Sequence, residues 1–131
     1  MNNHVKDFDI WNDRKKIIDS VENKKSFHER EVFSINVGKN VGFEQNGKGE
    51  EFLRPVIIYK KFSSNVFLGI PLTKTDKEGK FYKAFEFQGK RSTAILSQIR
   101  LFDSKRLKYK IGKMSVGDYN AVKEKLIDLI Q

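Results

Sequence analysis

The chain has 131 residues, 38% of them hydrophobic and 33% charged, with no cysteine and a formal net charge of +9. That length suits one domain with a modest core rather than two. The composition excludes a disulfide framework, a thiolate metal site and a cysteine nucleophile, and no apolar run approaches the roughly 20 residues of a membrane-spanning helix.

The opening "MNNHVKDFDIWNDRKK" has no uninterrupted apolar stretch of the secretory kind, so a soluble cytoplasmic protein is expected. Excess lysine and arginine favour encounters with polyanions and give them a salt-sensitive affinity. Residues 1 to 30 carry seven basic and six acidic side chains, a net of +1, which leaves +8 for the remainder. The densest patch is "RLFDSKRLKYKIGK", residues 100 to 113, with six basic residues and one acidic.

In chain order, residues 7 to 22 read as an amphipathic helix, with Ile10, Trp11, Ile17, Ile18 and Val21 at helical spacing. A polar connector, 23 to 30, follows. The period then shortens to strand-like runs at 31–37, 54–60, 66–73, 80–87 and 92–99, each bounded by Gly, Asn, Ser or Asp. Five short strands so close together predict a small closed or half-closed sheet rather than alternating β-α units. A sixth strand at 108–114 carries three lysines and is expected at an edge or exposed. Residues 115 to 130 read as a terminal helix capped by Ser115, with Tyr119, Val122, Leu126, Leu129 and Ile130 as its apolar stripe.

Several chemistries find no support. His4 and His28 lack the paired spacing of a zinc site. The glycines at 38, 42, 47 and 49 form neither a dinucleotide fingerprint nor a P-loop, and no serine sits in a nucleophile elbow. What remains is "VGFEQNGKGEEFLRPVIIYK", residues 41 to 60, where a glycine-rich charged loop delivers Arg54 to the first position of a β-branched strand. An arginine so placed asks for a role, and a strand-end salt bridge with Glu44, Glu50 or Glu51 is the plain one.

Taken in order, "NVGFEQNG", "RPVIIYK", "GIPLT", "ILSQIRLFDSKRL" and "IGKMS" before a terminal amphipathic helix resemble the MazF/PemK toxins of bacterial toxin–antitoxin systems. The resemblance covers roughly residues 29 to 131 and leaves 1 to 28 as an N-terminal helical extension. It implies an SH3-like β-barrel with a C-terminal helix, to which this chain adds its N-terminal one. It also implies a homodimer, cofactor- and metal-independent cleavage of single-stranded RNA, and restraint by an acidic antitoxin protein.

By the same resemblance Arg54 works with Thr73, the threonine that ends the "PLT" strand, as the catalytic pair. Glu44 and Gln45 match the family's "EQ". Ser97, Gln98 and Arg100 fall in its "SQxR" block as RNA-binding or supporting residues, and Gln98 and Arg100 can equally tie strands together or support a dimer. The acid–base set of the PemK/Kid branch is missing, since Ile95, Ser97 and Phe43 stand in the corresponding places, so activity is expected to follow the arginine–threonine arrangement. The basic stretch with Phe43, Phe62 and Phe67 offers charge and stacking surfaces to a strand of RNA, although most aromatic residues are expected in the core. A non-catalytic SH3-like module binding nucleic acid or protein is the alternative, and a DNA-directed protein a third.

Overall fold

The computed structural model describes residues 26–38 and 53–131. The helix expected over 7–22 and the glycine-rich loop with Phe43, Glu44 and Gln45 lie outside the described residues.

Strands β1 (Glu31–Asn36), β2 (Leu53–Lys61) and β3 (Val66–Thr73) form the antiparallel centre of the sheet. Their sequences are apolar almost without alternation because both faces of this trio are buried. On one face Phe27, Phe33, Ile35, Val56, Ile58, Phe67, Phe102 and Leu107 make a core. On the other, Val32, Ile57, Ile70 and Leu72 pack against Phe85, Ala94, Met114, Val122 and Leu126. Successive residues of "VIIY" therefore serve two cores, which is why β-branched side chains fill it.

The second core is covered by a hairpin of β4 (Tyr82–Phe87) and β5 (Lys90–Ile95) and by helix α1 (Val116–Ile130). Ser115 caps the helix by accepting from the Asp118 amide at 3.1 Å, as its sequence predicts. Tyr119 docks it by donating its hydroxyl to the Tyr59 carbonyl at 2.5 Å. Burial, with smaller contributions from Glu29 and Tyr59, pushes the Tyr119 phenol up to about 12, so this donor keeps its proton throughout the neutral range. Ile130 leaves the expected stripe and stands exposed.

The sheet runs β4-β5-β3-β2-β1-β7, with β6 (Arg100–Asp103) paired to the free length of β3 and β7 (Leu107–Lys113) to β1. A single 3-10 turn, Ser104–Arg106, joins β6 to β7, so the chain itself carries the sheet from one flank to the other. No ladder pairs β6 with β7 among the described residues. The barrel expected from the sequence is thus a curled sheet, not a hydrogen-bonded closed one. Its far ends meet through a side chain, where Gln88 Nε2 donates to the Ile111 carbonyl at 2.8 Å. That approach needs a glycine on β7: a Cβ at Gly112 would lie 2.6 Å from Gln88 Nε2 and 2.8 Å from Phe87 Cζ.

Two expectations change here. The strand read over 92–99 stops at Ile95, and a 3-10 turn, Leu96–Gln98, buries Leu96 and ends with the Ile99 amide on the Leu96 carbonyl at 3.3 Å. A seventh strand, β6, then appears inside the basic stretch, too short at four residues to show an alternation pattern. The lysine-rich strand lies at the sheet edge, as its charge predicts, with Lys108, Lys110 and Lys113 exposed.

Gly69 sits mid-strand in β3, facing Ile58 and Arg100. A Cβ there would meet Val56 Cγ1 at 2.7 Å and Phe102 Cδ2 at 2.8 Å, both in the first core. Gly69→Ala should therefore destabilise the fold by about 1–3 kcal/mol through overpacking. A thermal melt no lower than the wild type would contradict this account of the packing.

The carboxylate of Glu31 is 5% exposed and accepts from the His28 amide at 2.6 Å, with Lys110 Nζ at 2.7 Å. Burial alone would raise its pKa. The Lys110 ammonium and the His28 amide together outweigh burial and hold it below the ordinary 4.5. A folded-state pKa below the unfolded one gives stability that is complete above about 4.5 and is lost as pH falls through the folded value. The wild-type melting temperature should fall as pH drops below that region, and Glu31→Gln should flatten the fall. Equal acid sensitivity in both proteins would exclude Glu31 as its source.

Candidate functional site

Arg54 and Thr73 occupy the same end of the β2–β3 pair. The ladder sets Val56 against Pro71, Ile57 against Ile70 and Ile58 against Gly69. Carried two residues further, that register brings Arg54 across from Thr73. The two strands are tied at this point, because Arg54 Nη1 donates to the carbonyl of Leu72, the residue before Thr73, at 3.2 Å.

The row extends in both directions. Ile35 pairs with Leu107 on one side and Arg54 on the other, and Thr93 pairs with both Thr73 and Ala84. Ladder partners share a face, so Leu107, Ile35, Arg54, Thr73, Thr93 and Ala84 form one line of side chains across six strands. Arg54 is on the face of Val56 and Ile58, at one end of the first core. At 8% exposed it is the one buried cation among the described residues. Burial pushes its pKa down from the ordinary guanidinium value, and arginine keeps its charge in proteins.

A charged fork beside a strand-end hydroxyl is an arrangement for oxyanions. Arg54 supplies fixed N–H donors in a partly desolvated setting, where they act more strongly than in water. Thr73 is half-buried, and its Oγ1 accepts from the Thr75 amide at 3.2 Å. Its hydroxyl proton remains available for a second partner.

Of the other sequence-derived candidates, the described residues place Ser97 and Gln98 on a 3-10 turn and Arg100 on β6. Ser97 is exposed and Gln98 half-buried on the 3-10 turn after β5. Arg100 enters opposite Gly69, four residues before Thr73 and so about 13 Å away along the strand. Its guanidinium lies 4.6 Å from the centre of the Phe102 ring. Glu44 and Gln45, like the Glu50 and Glu51 salt-bridge partners considered for Arg54, fall outside the described residues. Among the described residues, Arg54 donates to a backbone carbonyl, that of Leu72.

Phe67, considered as a stacking surface, is fully buried between Phe27 and Phe102, with ring centres 5.3 and 5.6 Å away. Phe62 is exposed but belongs to the β2–β3 turn, eight residues and roughly 25 Å from Arg54 along β2. Neither can stack on a base beside the Arg54–Thr73 pair.

Two residues that sequence reading passed over adjoin the row. Arg106 Nη1 donates to the Asn36 carbonyl at 3.1 Å, which sets a second guanidinium at the β1 end. Its position inside a basic run was the available signal, but nothing marked it out from its neighbours. Thr93 is 1% exposed, and its Oγ1 has no hydrogen-bond partner among the described residues. Only strand register reveals that it faces Thr73.

A curled small antiparallel sheet backed by a C-terminal helix defines the class of fold. The family model of the PemK-like, MazF-like toxins of type II toxin-antitoxin systems matches residues 29–130. The chain belongs to that family. No curated protein matches it in sequence. Among solved structures, MazF from Deinococcus radiodurans is 18% identical with a TM-score of 0.64, covering 79% of this chain and 96% of its own. An endoribonuclease in complex with its cognate antitoxin, from a Mycobacterial species, is 12% identical with a TM-score of 0.64, covering 80% and 95%. A MazE–MazF structure from Deinococcus radiodurans is 15% identical with a TM-score of 0.60, covering 79% and 94%. At such identities these likenesses concern the fold. No helix of the described residues is long and apolar enough to cross a membrane.

Proposed function

We propose that this chain is an endoribonuclease toxin that cuts single-stranded RNA sequence-selectively and without a metal, using the substrate's own 2′-hydroxyl. The observation that carries the reading is the bond from Arg54 Nη1 to the carbonyl of Leu72, the residue before Thr73, at one end of β2–β3 in a chain of the toxin family.

In this reaction the 2′-oxygen attacks the adjacent phosphorus and gives up its proton to a base. The P–O5′ bond breaks, and the departing oxygen takes a proton. The products are a 2′,3′-cyclic phosphate and a 5′-hydroxyl. Charge builds on the non-bridging oxygens as the phosphorane forms, and this is where Arg54 and Thr73 would donate. Glu44 is the proposed base. Lys105, Arg106, Lys108 and Lys113, all exposed along the turn and the β7 edge, would hold the flanking phosphates.

The same basic surface suits an acidic antitoxin segment that orders on binding and excludes RNA. A cytoplasmic homodimer completes the proposal. The test is incubation of pure protein, with chelator, against a pool of single-stranded RNA and against DNA. Discrete RNA fragments ending in cyclic phosphate are expected. Binding without cutting would replace the enzyme by a recognition module, and preference for DNA would overturn the substrate class.

A further inference from the structure

Thr93 is a buried hydroxyl with no hydrogen bond among the described residues, and it stands directly opposite Thr73. Its other neighbour in the row, Ala84, offers no polar side chain, and the next pair along the β3–β5 ladder is Leu72 with Ala94. An unpaired buried hydroxyl is unfavourable, and valine would fill almost the same space without that cost. A threonine in this position therefore points to a partner acquired in another state.

Opposed residues of a ladder hold their Cβ atoms about 5 Å apart, within range of a Thr–Thr hydrogen bond after one side-chain rotation. Ser104, the other hydroxyl buried without a partner among the described residues, makes a useful contrast. Its amide bonds to the Asn65 carbonyl at the far end of β3, and no site residue faces it.

We propose that Thr93 is a positioning residue for Thr73, its hydroxyl kept dry to donate to Thr73 Oγ1 when Thr73 turns its own proton toward a phosphate oxygen. The inference rests on the cleavage reading above. A hydroxyl accepts and donates at once, so the two O–H groups would align in series, each polarising the next. Thr93 is too deeply buried to touch substrate and acts through Thr73 alone.

The experiment measures kcat and KM for RNA cleavage, with thermal melts, for wild type, Thr93→Val, Thr93→Ser, Thr73→Ala and the Thr73→Ala/Thr93→Val double variant. Thr93→Val should melt no lower than wild type and lose about 3–10-fold in kcat, the effect of one hydrogen bond, with KM little changed. Thr93→Ser should restore the rate, and the valine should cost nothing further once Thr73 is alanine. A wild-type kcat in Thr93→Val overturns the inference while leaving the nuclease reading intact. So does a clearly lowered melting temperature, which would make the hydroxyl a structural tie, or the same loss in the Thr73→Ala background. Wild-type protein that leaves all RNA whole overturns the nuclease reading, and this inference with it.

Discussion

Arg54→Met is expected to keep the fold and to lose about 10²–10³-fold in RNA cleavage, the usual consequence of deleting one fixed donor to a developing oxyanion. Methionine matches much of the arginine stem, so that end of the first core stays filled. The structural loss includes the bond from Nη1 to the Leu72 carbonyl, worth about 1 kcal/mol. Arg54→Lys should recover only part of the rate, because it keeps the charge and loses the planar fork. Thr73→Ala should cost at least about tenfold, or roughly 1.4 kcal/mol of transition-state stabilisation. Steady-state kinetics on variants with native circular dichroism decide the matter. Arg54→Met cleaving at the wild-type rate would remove the arginine from the chemistry.

The ease with which sequence discloses this site varies with how local its determinants are. Arg54 before Pro55 and a β-branched run, and Thr73 at the end of "GIPLT", are strand-end features readable within a few residues. The terminal helix announces itself through Ser115 and its periodicity, both fulfilled locally. What linear reading misses is set by pairing between strands. Arg54 and Thr73 become neighbours only through the β2–β3 register, and Thr93 joins them through the β3–β5 ladder. Ser97, Gln98 and Arg100, offered by the sequence as RNA-binding or supporting residues, show the converse. They are close in sequence to β5, but a 3-10 turn redirects the chain after Ile95 and sends Arg100 to the other length of β3. Likewise "RLFD" hides a strand because four residues are too few to show alternation about its one buried residue, Phe102.

Phe67→Ala should produce the largest loss of stability, about 3–5 kcal/mol, and no specific loss of RNA affinity. The ring is fully buried in the first core, between Phe27 and Phe102, so its removal leaves a cavity between two other rings. Lys61 adds to the stack from outside, with Nζ 4.5 Å from the Phe27 ring centre and bonded to the Phe27 carbonyl at 2.9 Å. The truncation therefore also loosens the strap formed by the segment before β1. Phe62→Ala is the control: 57% exposed in the β2–β3 turn, it should change stability by less than about 0.5 kcal/mol. Urea denaturation measures both, and fluorescence titration with single-stranded RNA at a temperature where Phe67→Ala is folded measures affinity. A folded Phe67→Ala protein weakened for RNA by the roughly 1–3 kcal/mol of a lost base stack would contradict its place in the core. A loss of stability under 1 kcal/mol would do the same, because a well-packed phenylalanine between two rings cannot be removed so cheaply.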